Sequence, residues 1–175
     1  NQIPMRRRKE IEKALGEVGE SPAKWSRNEG TKNHVFMRKR IKPGTIRHME
    51  YELLDVEIGE SWPVPISVIH GSRPGPVLTL LGAIHGDELV GPLALTYLCG
   101  PNFMGPEEVI DAGVLAGTIR IVPIVNLPGY RRMMRDFPDG RDLNRCFPGK
   151  PDSNTTSRVA HKIWSKLISS SDYVV

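Results

Sequence analysis

A nearly continuous apolar run, Val77-Leu78-Thr79-Leu80-Leu81-Gly82-Ala83-Ile84, leads directly into His85-Gly86-Asp87-Glu88. The run lacks the polar alternation of a half-exposed strand and follows Pro76. It predicts a strand buried on both faces, the kind found inside α/β sheets. Leu89 to Leu98 then reads as a helix and Thr118 to Val125 as a second apolar, β-branched strand. Strand, helix, strand in that order predicts a parallel pair joined by a right-handed crossover. Pro123 sits awkwardly in this scheme, because a central strand cannot spare an amide donor. Upstream, Met49, Tyr51 and Leu53 alternate with charged residues, and Trp62, Val64, Ile66 and Val68 alternate again. Two half-exposed strands are expected there, with a turn near Gly59 and a second turn from Gly71 to Gly75. Downstream, Ser153 or Thr155 would cap a helix whose Val159, Ile163, Trp164 and Leu167 face inward. Tyr173-Val174-Val175 begins another strand. The expected fold class is α/β, with a mixed, largely parallel central sheet and helices on both faces.

Composition supports a folded body. The chain has 175 residues, 39% of them hydrophobic and 25% charged, and a chain of this size removes roughly 70% of its unfolded surface from water. Disulfide staples are therefore unnecessary. Cys99 and Cys146 lie far apart and form no C-x-x-C pair, which argues against both a disulfide framework and a cysteine-based structural zinc site. No apolar run reaches the roughly 18 residues needed to cross a bilayer. Arg6, Arg7, Arg8 and Lys9 are not followed by the apolar stretch of a secretory signal. A reducing, cytoplasmic location is expected. The net charge of +4 is unevenly spread: residues 1–50 carry 13 basic and 6 acidic residues, and residues 51–175 carry 11 and 14. The chain divides accordingly into a basic segment, 1–48, and a body, 49–175. The first part reads as a helix over about residues 4–18, from Pro4, Ile11, Leu15 and Val18, and then a polar connector. A basic segment can contact nucleic acid or another anionic surface. Its sparse aromatics, Trp25 and Phe36, and the lack of a recognised motif favour a solvated face instead.

The chemistry concentrates in two places. His85 and Glu88, three residues apart where a strand becomes a helix, sit at the carboxyl edge of the sheet, where open α/β folds place ligands. Gly86 lets the backbone bend between them, and a divalent ion such as zinc accepts both ligand types. A catalytic zinc normally takes three protein ligands, so the pair alone also fits a capping histidine beside an exposed glutamate. The second place is the stretch Asn126 to Lys150, which has little helical or strand periodicity; loops of that length are usually functional or disordered. It holds Arg131, Arg132, Arg135, Arg141 and Arg145, interleaved with Asp136, Asp139 and Asp142. A self-neutralised surface network is one reading. The other rests on Asp142-Leu143-Asn144-Arg145, which comes after a Pro138-Asp139-Gly140 turn signal. A guanidinium fork beside a side-chain amide can grip a carboxylate. Metal ligands on one loop and a carboxylate anchor on the next would make a hydrolase layout.

Three ordered blocks then become recognisable: Gly82-Ala83-Ile84-His85-Gly86-Asp87-Glu88, Asn126-Leu127-Pro128-Gly129, and Asp139-Gly140-Arg141-Asp142-Leu143-Asn144-Arg145-Cys146-Phe147-Pro148-Gly149. Together they closely resemble the succinylglutamate desuccinylase/aspartoacylase family, a branch of the zinc carboxypeptidase superfamily, over about residues 49–175. The resemblance implies the N-terminal part of a zinc carboxypeptidase-like catalytic domain. It implies that His85 and Glu88 are the first two ligands of Zn2+, that Arg135 polarises the scissile carbonyl, and that Asn144 and Arg145 hold the substrate carboxylate. Arg141 competes with Arg135 for its role and is a further substrate-binding candidate. Asp87 recurs in the first block and is assigned no role, and His34, His48, His70 and His161 match no family ligand. In relatives a third ligand, a histidine, and a general-base glutamate come after the strand that here begins at Asp172, so the chain is expected to be truncated and inactive by itself. The implied reaction is zinc-dependent hydrolysis of an amide next to a free carboxylate, in a small N-acyl amino acid or a peptide. Rival expectations are a non-catalytic anion- or nucleic-acid-binding module and a family member that has lost catalysis.

Overall fold

The protein is described from a computed structural model, whose described residues are 34–53, 62–99 and 109–175. The leading helix expected over residues 4–18 and the turn near Gly59 lie outside them. Among the described residues the strands are β1 (His34–Phe36), β2 (Lys39–Ile41), β3 (Thr45–Glu52), β4 (Pro63–His70), β5 (Arg73–Leu81), β6 (Ala116–Val122) and β7 (Tyr173–Val174). The helices are α1 (Val90–Leu98), α2 (Leu127–Arg132) and α3 (Thr155–Ile163), with a 3-10 turn at Leu143–Arg145. β1 and β2 form a small antiparallel ribbon, and the other five strands form one sheet in the order β3-β4-β6-β5-β7. β3 pairs with β4, and β4 with β6, in antiparallel fashion. β5 pairs in parallel with both β6 and β7. The expected mixed α/β sheet is present, and its parallel part is the β6-β5-β7 half. Segment 34–48, expected as connector, carries β1, β2 and the start of β3.

Alternation along the strands sorts the two faces. Ile69 and Ile121 point to one side, where Leu95 and Leu98 of α1 pack on them. Val64, Ile66, Val68 and Val122 point to the other, against Val159, Ala160 and Ile163 of α3. Each such buried aliphatic side chain contributes about 1.5–3 kcal/mol relative to exposure, so both helices are held by the sheet they cover. The run at 77–84, expected as a strand buried on both faces, lies between β6 and β7, yet among the residues of β5 only Thr79 is fully buried. Its outer neighbour β7 has two residues, too short to cover the length of β5. α3 is capped by Asn154, whose side chain accepts from Ser157 N at 3.0 Å, rather than by Ser153 or Thr155. Val159, Ile163 and Leu167 are buried as expected, whereas Trp164 is 41% exposed. Trp164 opens the π-helical turn Trp164–Ile168, whose wider winding keeps Leu167 inward and leaves Trp164 outside.

β6 also buries a charge. Arg120, 3% exposed, lies on the α3 face of the sheet, and its guanidinium donates to His34 Nε2 (3.3 Å), to Ser170 Oγ (2.8 Å) and to the Leu167 carbonyl (3.4 Å). It stacks over the Phe36 ring at 4.4 Å. The His34 ring lies 5.4 Å from that of His70, and His70 Nδ1 is 2.9 Å from Thr118 Oγ1. This polar cluster fastens the β1–β2 ribbon to the sheet.

The ends of β5 and β6 position the two loops beyond them. β6 stops at Val122, so Pro123 falls just past the ladder, where its missing donor is harmless. Beyond it the two chains stay joined: Gly82 N donates to Val122 O, Val125 N to Gly82 O, and Asn126 N to Ala83 O, at 2.8–2.9 Å. A side chain at residue 82 would bring Cβ within 2.4 Å of the Pro123 carbonyl, which explains the glycine there. Because β5 and β6 are parallel, the His85 loop and the Asn126 loop leave the same edge side by side.

Candidate active site

His85, 7% exposed, lies at that edge with its ring between two carboxylates. Nδ1 is 2.9 Å from Glu88 Oε1 and Nε2 is 3.0 Å from Asp142 Oδ1. Asp142 arrives from the 3-10 turn, which it caps by accepting Asn144 N at 2.9 Å. Burial opposes ionisation of Asp142, yet the His85 and Asn144 hydrogen bonds and the charges of His85 and Arg135 outweigh it, and its carboxyl is held below the usual range. Arg135 spans both acids, with Nη1 3.4 Å from Glu88 Oε1 and Nη2 3.8 Å from Asp142 Oδ2. Arg145 Nε approaches Asp142 Oδ2 at 3.5 Å.

A second layer of contacts fixes these loops. Gly86 presses on α2: an added Cβ would come within 2.1 Å of Gly129 C and 2.5 Å of Met134 O. No larger residue fits without moving one loop. Gly86 N donates to Arg135 O at 3.4 Å. Asp139 holds the far end of the long loop by accepting the Thr156 amide and hydroxyl at the start of α3.

The structure therefore gathers His85, Glu88, Arg135 and Arg145 from the sequence-derived set, and Asn144 joins them through its backbone. Arg141 pairs with Asp139 instead, at 3.9 Å. Asp87 is exposed beside the cluster. Sequence reasoning missed two residues. Asp142, read among the neutralising acids, is the partner of His85; its signal was the Asp-x-Asn spacing, in which a carboxylate caps the amide two residues on. Asn126 caps α2, a helix expected as irregular loop, and an Asn followed by Pro at the first turn was the available signal.

Proton positions limit what the pair His85–Glu88 can hold. Both partners of the ring are carboxylates, which only accept. A neutral imidazole has a single N–H, so one of the two contacts then sets a ring lone pair against a carboxylate oxygen, at 2.9 or 3.0 Å. Such a contact calls for a cation between them, either a second ring proton or a metal ion. Among the described residues no group of three or more His, Cys, Asp or Glu side chains is arranged to hold a metal ion together.

Residues 74–175 match the model of the succinylglutamate desuccinylase/aspartoacylase catalytic domain. The chain is 34% identical over 113 residues to N-alpha-acetyl-L-2,4-diaminobutyric acid deacetylase of Halomonas elongata, a match that covers 64% of this chain and 30% of that one. Its fold is similar to the ectoine utilization protein EutE (DoeB) of Ruegeria pomeroyi, with a TM-score of 0.63 and 32% identity. It is also similar to a succinylglutamate desuccinylase/aspartoacylase of Rhodobacter sphaeroides, with a TM-score of 0.63 and 28% identity. Each structural match covers 74% of this chain and 38% of the other, so the chain spans well under half the length of these relatives. By the family match over residues 74–175, the chain belongs to the succinylglutamate desuccinylase/aspartoacylase family.

Proposed function

We propose that this protein contributes to a zinc-dependent hydrolase that cleaves an amide next to a free carboxylate, with N-acyl amino acids as substrates. The observation that carries the reading is the His85 ring held by Asp142 on one nitrogen and turned to Glu88 with the other. A histidine that donates its outer N–H to a carboxylate is the usual support of a metal ligand, because the bond fixes the tautomer and raises ligand basicity. His85 Nδ1 and Glu88 would hold Zn2+, a nitrogen and oxygen donor set that zinc accepts. Bound there, zinc supplies Lewis acidity toward the scissile carbonyl and toward a nucleophilic water. Arg135, 50% exposed in its side chain, would donate to the carbonyl oxygen as negative charge develops on it. Asn144 and Arg145, on the exposed 3-10 turn that Asp142 caps, would take the substrate carboxylate, with Arg141 on the rim.

Deacylation is favoured over peptidase action by the relative from Halomonas elongata, named as a deacetylase of an N-acetyl amino acid. The described residues provide two metal donors where a catalytic centre takes three or more, so the described residues on their own would be inactive. Residues 49–175 would form the N-terminal part of the catalytic domain. The two free thiols, Cys99 and Cys146, suit a reducing, cytoplasmic setting, and among the described residues no helix is long and apolar enough to cross a membrane.

The test is a panel of N-acetyl and N-succinyl amino acids offered to the intact protein, each beside its carboxyl methyl ester. Hydrolysis of the free acids with weak turnover of the esters is expected. Equal turnover of acid and ester would remove the carboxylate anchor, and no hydrolysis of any member would remove the reading.

A further inference from the structure

Asn126 is neither a metal donor nor part of the carboxylate anchor, yet it touches the supports of both His85 and Arg135. It is completely buried. Its side-chain oxygen accepts Gly129 N at 2.9 Å, which caps α2. Its amide nitrogen donates to Ile84 O (3.4 Å), one residue before His85, and to Arg135 O (3.3 Å). The Arg135 carbonyl thus receives two donors, from the Asn126 side chain and from Gly86 N. One amide ties the strand exit that delivers His85 to the loop that delivers Arg135.

A plain helix cap needs only the acceptor, which Ser or Asp supplies equally well. The two donor contacts are what an amide adds, and both end on backbone carbonyls beside site residues. The exit from β5 is also where the chain needs holding: Ala83 takes a left-handed conformation, φ 45°, which a residue with a Cβ rarely adopts.

We propose that Asn126 is a positioning residue for the amide hydrolysis assigned to this site, and that its amide donors set the distance between the His85 loop and the Arg135 guanidinium. The inference rests on that functional reading for its kinetic part and on the hydrogen bonds alone for its structural part. Removing the donors while keeping the cap would let the two loops drift apart. A displacement of about 1 Å in an active site can lower the rate on the order of a hundredfold. The 3-10 turn carrying Asn144 and Arg145 does not hang on Asn126, so substrate grip would be kept.

The experiment compares Asn126→Ser, which retains an acceptor for Gly129 N, with Asn126→Ala, each alone and combined with Arg135→Ala, in the intact protein. In the folded Asn126→Ser variant kcat is expected to fall about ten- to a hundredfold with KM within about twofold. In the Arg135→Ala background the same change is expected to cost little, since groups acting as a unit lose their effects non-additively. Additive losses, or an unchanged kcat, would overturn the proposal. Amide hydrogen exchange supplies a readout independent of activity: in either Asn126 variant the Gly86 and Met134 amides are expected to exchange faster together, with the β6 and α3 core amides unchanged. Unchanged exchange at Gly86 and Met134 overturns the inference even if the wild type proves inactive on every substrate, an outcome that otherwise defeats only the functional reading. Faster exchange spread evenly over β6 and α3 would mark Asn126 as a general stability residue and would also overturn it.

Discussion

Two clusters in this molecule pair arginine with histidine, and they are built to opposite ends. In the edge cluster His85, Arg135 and Arg145 meet the carboxylates Glu88 and Asp142, and both the Glu88 and the Arg135 side chains are half exposed or more. In the interior cluster Arg120 and His34 meet neutral partners: a serine hydroxyl, backbone carbonyls and the Phe36 ring. Arg120 Nε has no hydrogen-bond partner among the described residues. Burial lowers its pKa to about 10, against the raising effect of Asp172, so it remains charged at neutral pH. The lesson lies in the partners. The edge charges of Glu88 and Arg135 stay accessible and free to change partners, whereas a charge enclosed by aromatic and carbonyl groups works as a fastener.

This difference can be broken by substitution. The largest expected effect is on the fastener: Phe36→Ala removes a buried ring of the main core and should cost about 3–5 kcal/mol in chemical denaturation, with kcat per folded molecule unchanged. A kcat loss exceeding the unfolded fraction would show that the ribbon acts on the site. Next, Arg135→Ala should lower kcat by about 10²–10³-fold while moving unfolding free energy by no more than about 0.5 kcal/mol, as expected for an exposed side chain. A large stability change would make Arg135 a fastener too. Asp142→Asn keeps the shape but not the charge that holds His85 Nε2–H, and zinc affinity, read by competition with a chelating dye, should weaken by about 10–100-fold. Unaltered affinity would separate Asp142 from the proposed ligand.

The smallest effect is a matter of pH. His34 is held down to about 4 by burial first, then by the Arg120 and His70 charges, against an ordinary 6.5. It accepts from Arg120 through Nε2 and must stay neutral to do so. The unfolded chain therefore takes up this proton before the folded chain does. The contribution is present above pH 6.5 and is lost progressively as pH falls toward 4. Asp142, a carboxyl held below its usual value of 3.8, contributes above that value and loses its share only at lower pH. His34→Gln should flatten stability between pH 6.5 and 4 and leave the lower window alone. An equal slope in the variant would mean that another group titrates there.

Much of this was legible in the sequence where one residue's pattern decides one structure. Val159, Ile163 and Leu167 recur at helical spacing and are buried, and the run into His85 marks a strand end at the carboxyl edge. Pairings that join distant segments were not legible. Nothing in local periodicity ties Asp142 to His85, 57 positions away, or Arg120 to His34, 86 positions away. Short elements were also hidden: α2 spans six residues, too few for a hydrophobic period to show, and only its cap could have revealed it. Trp164 has the spacing of a core residue on a regular α-helix, but the chain widens there into a π turn that leaves it exposed.

The central claim is that His85, supported by Asp142, works with Glu88 as part of a zinc centre for amide hydrolysis. The most direct measurement is hydrolysis of a reactive N-acyl amino acid by the intact protein after chelation and again after zinc is restored, with wild type beside His85→Ala. The account predicts activity that disappears on chelation and returns with zinc in the wild type, and that does not return in His85→Ala. Hydrolysis that survives chelation, or that is undiminished in His85→Ala, would contradict it.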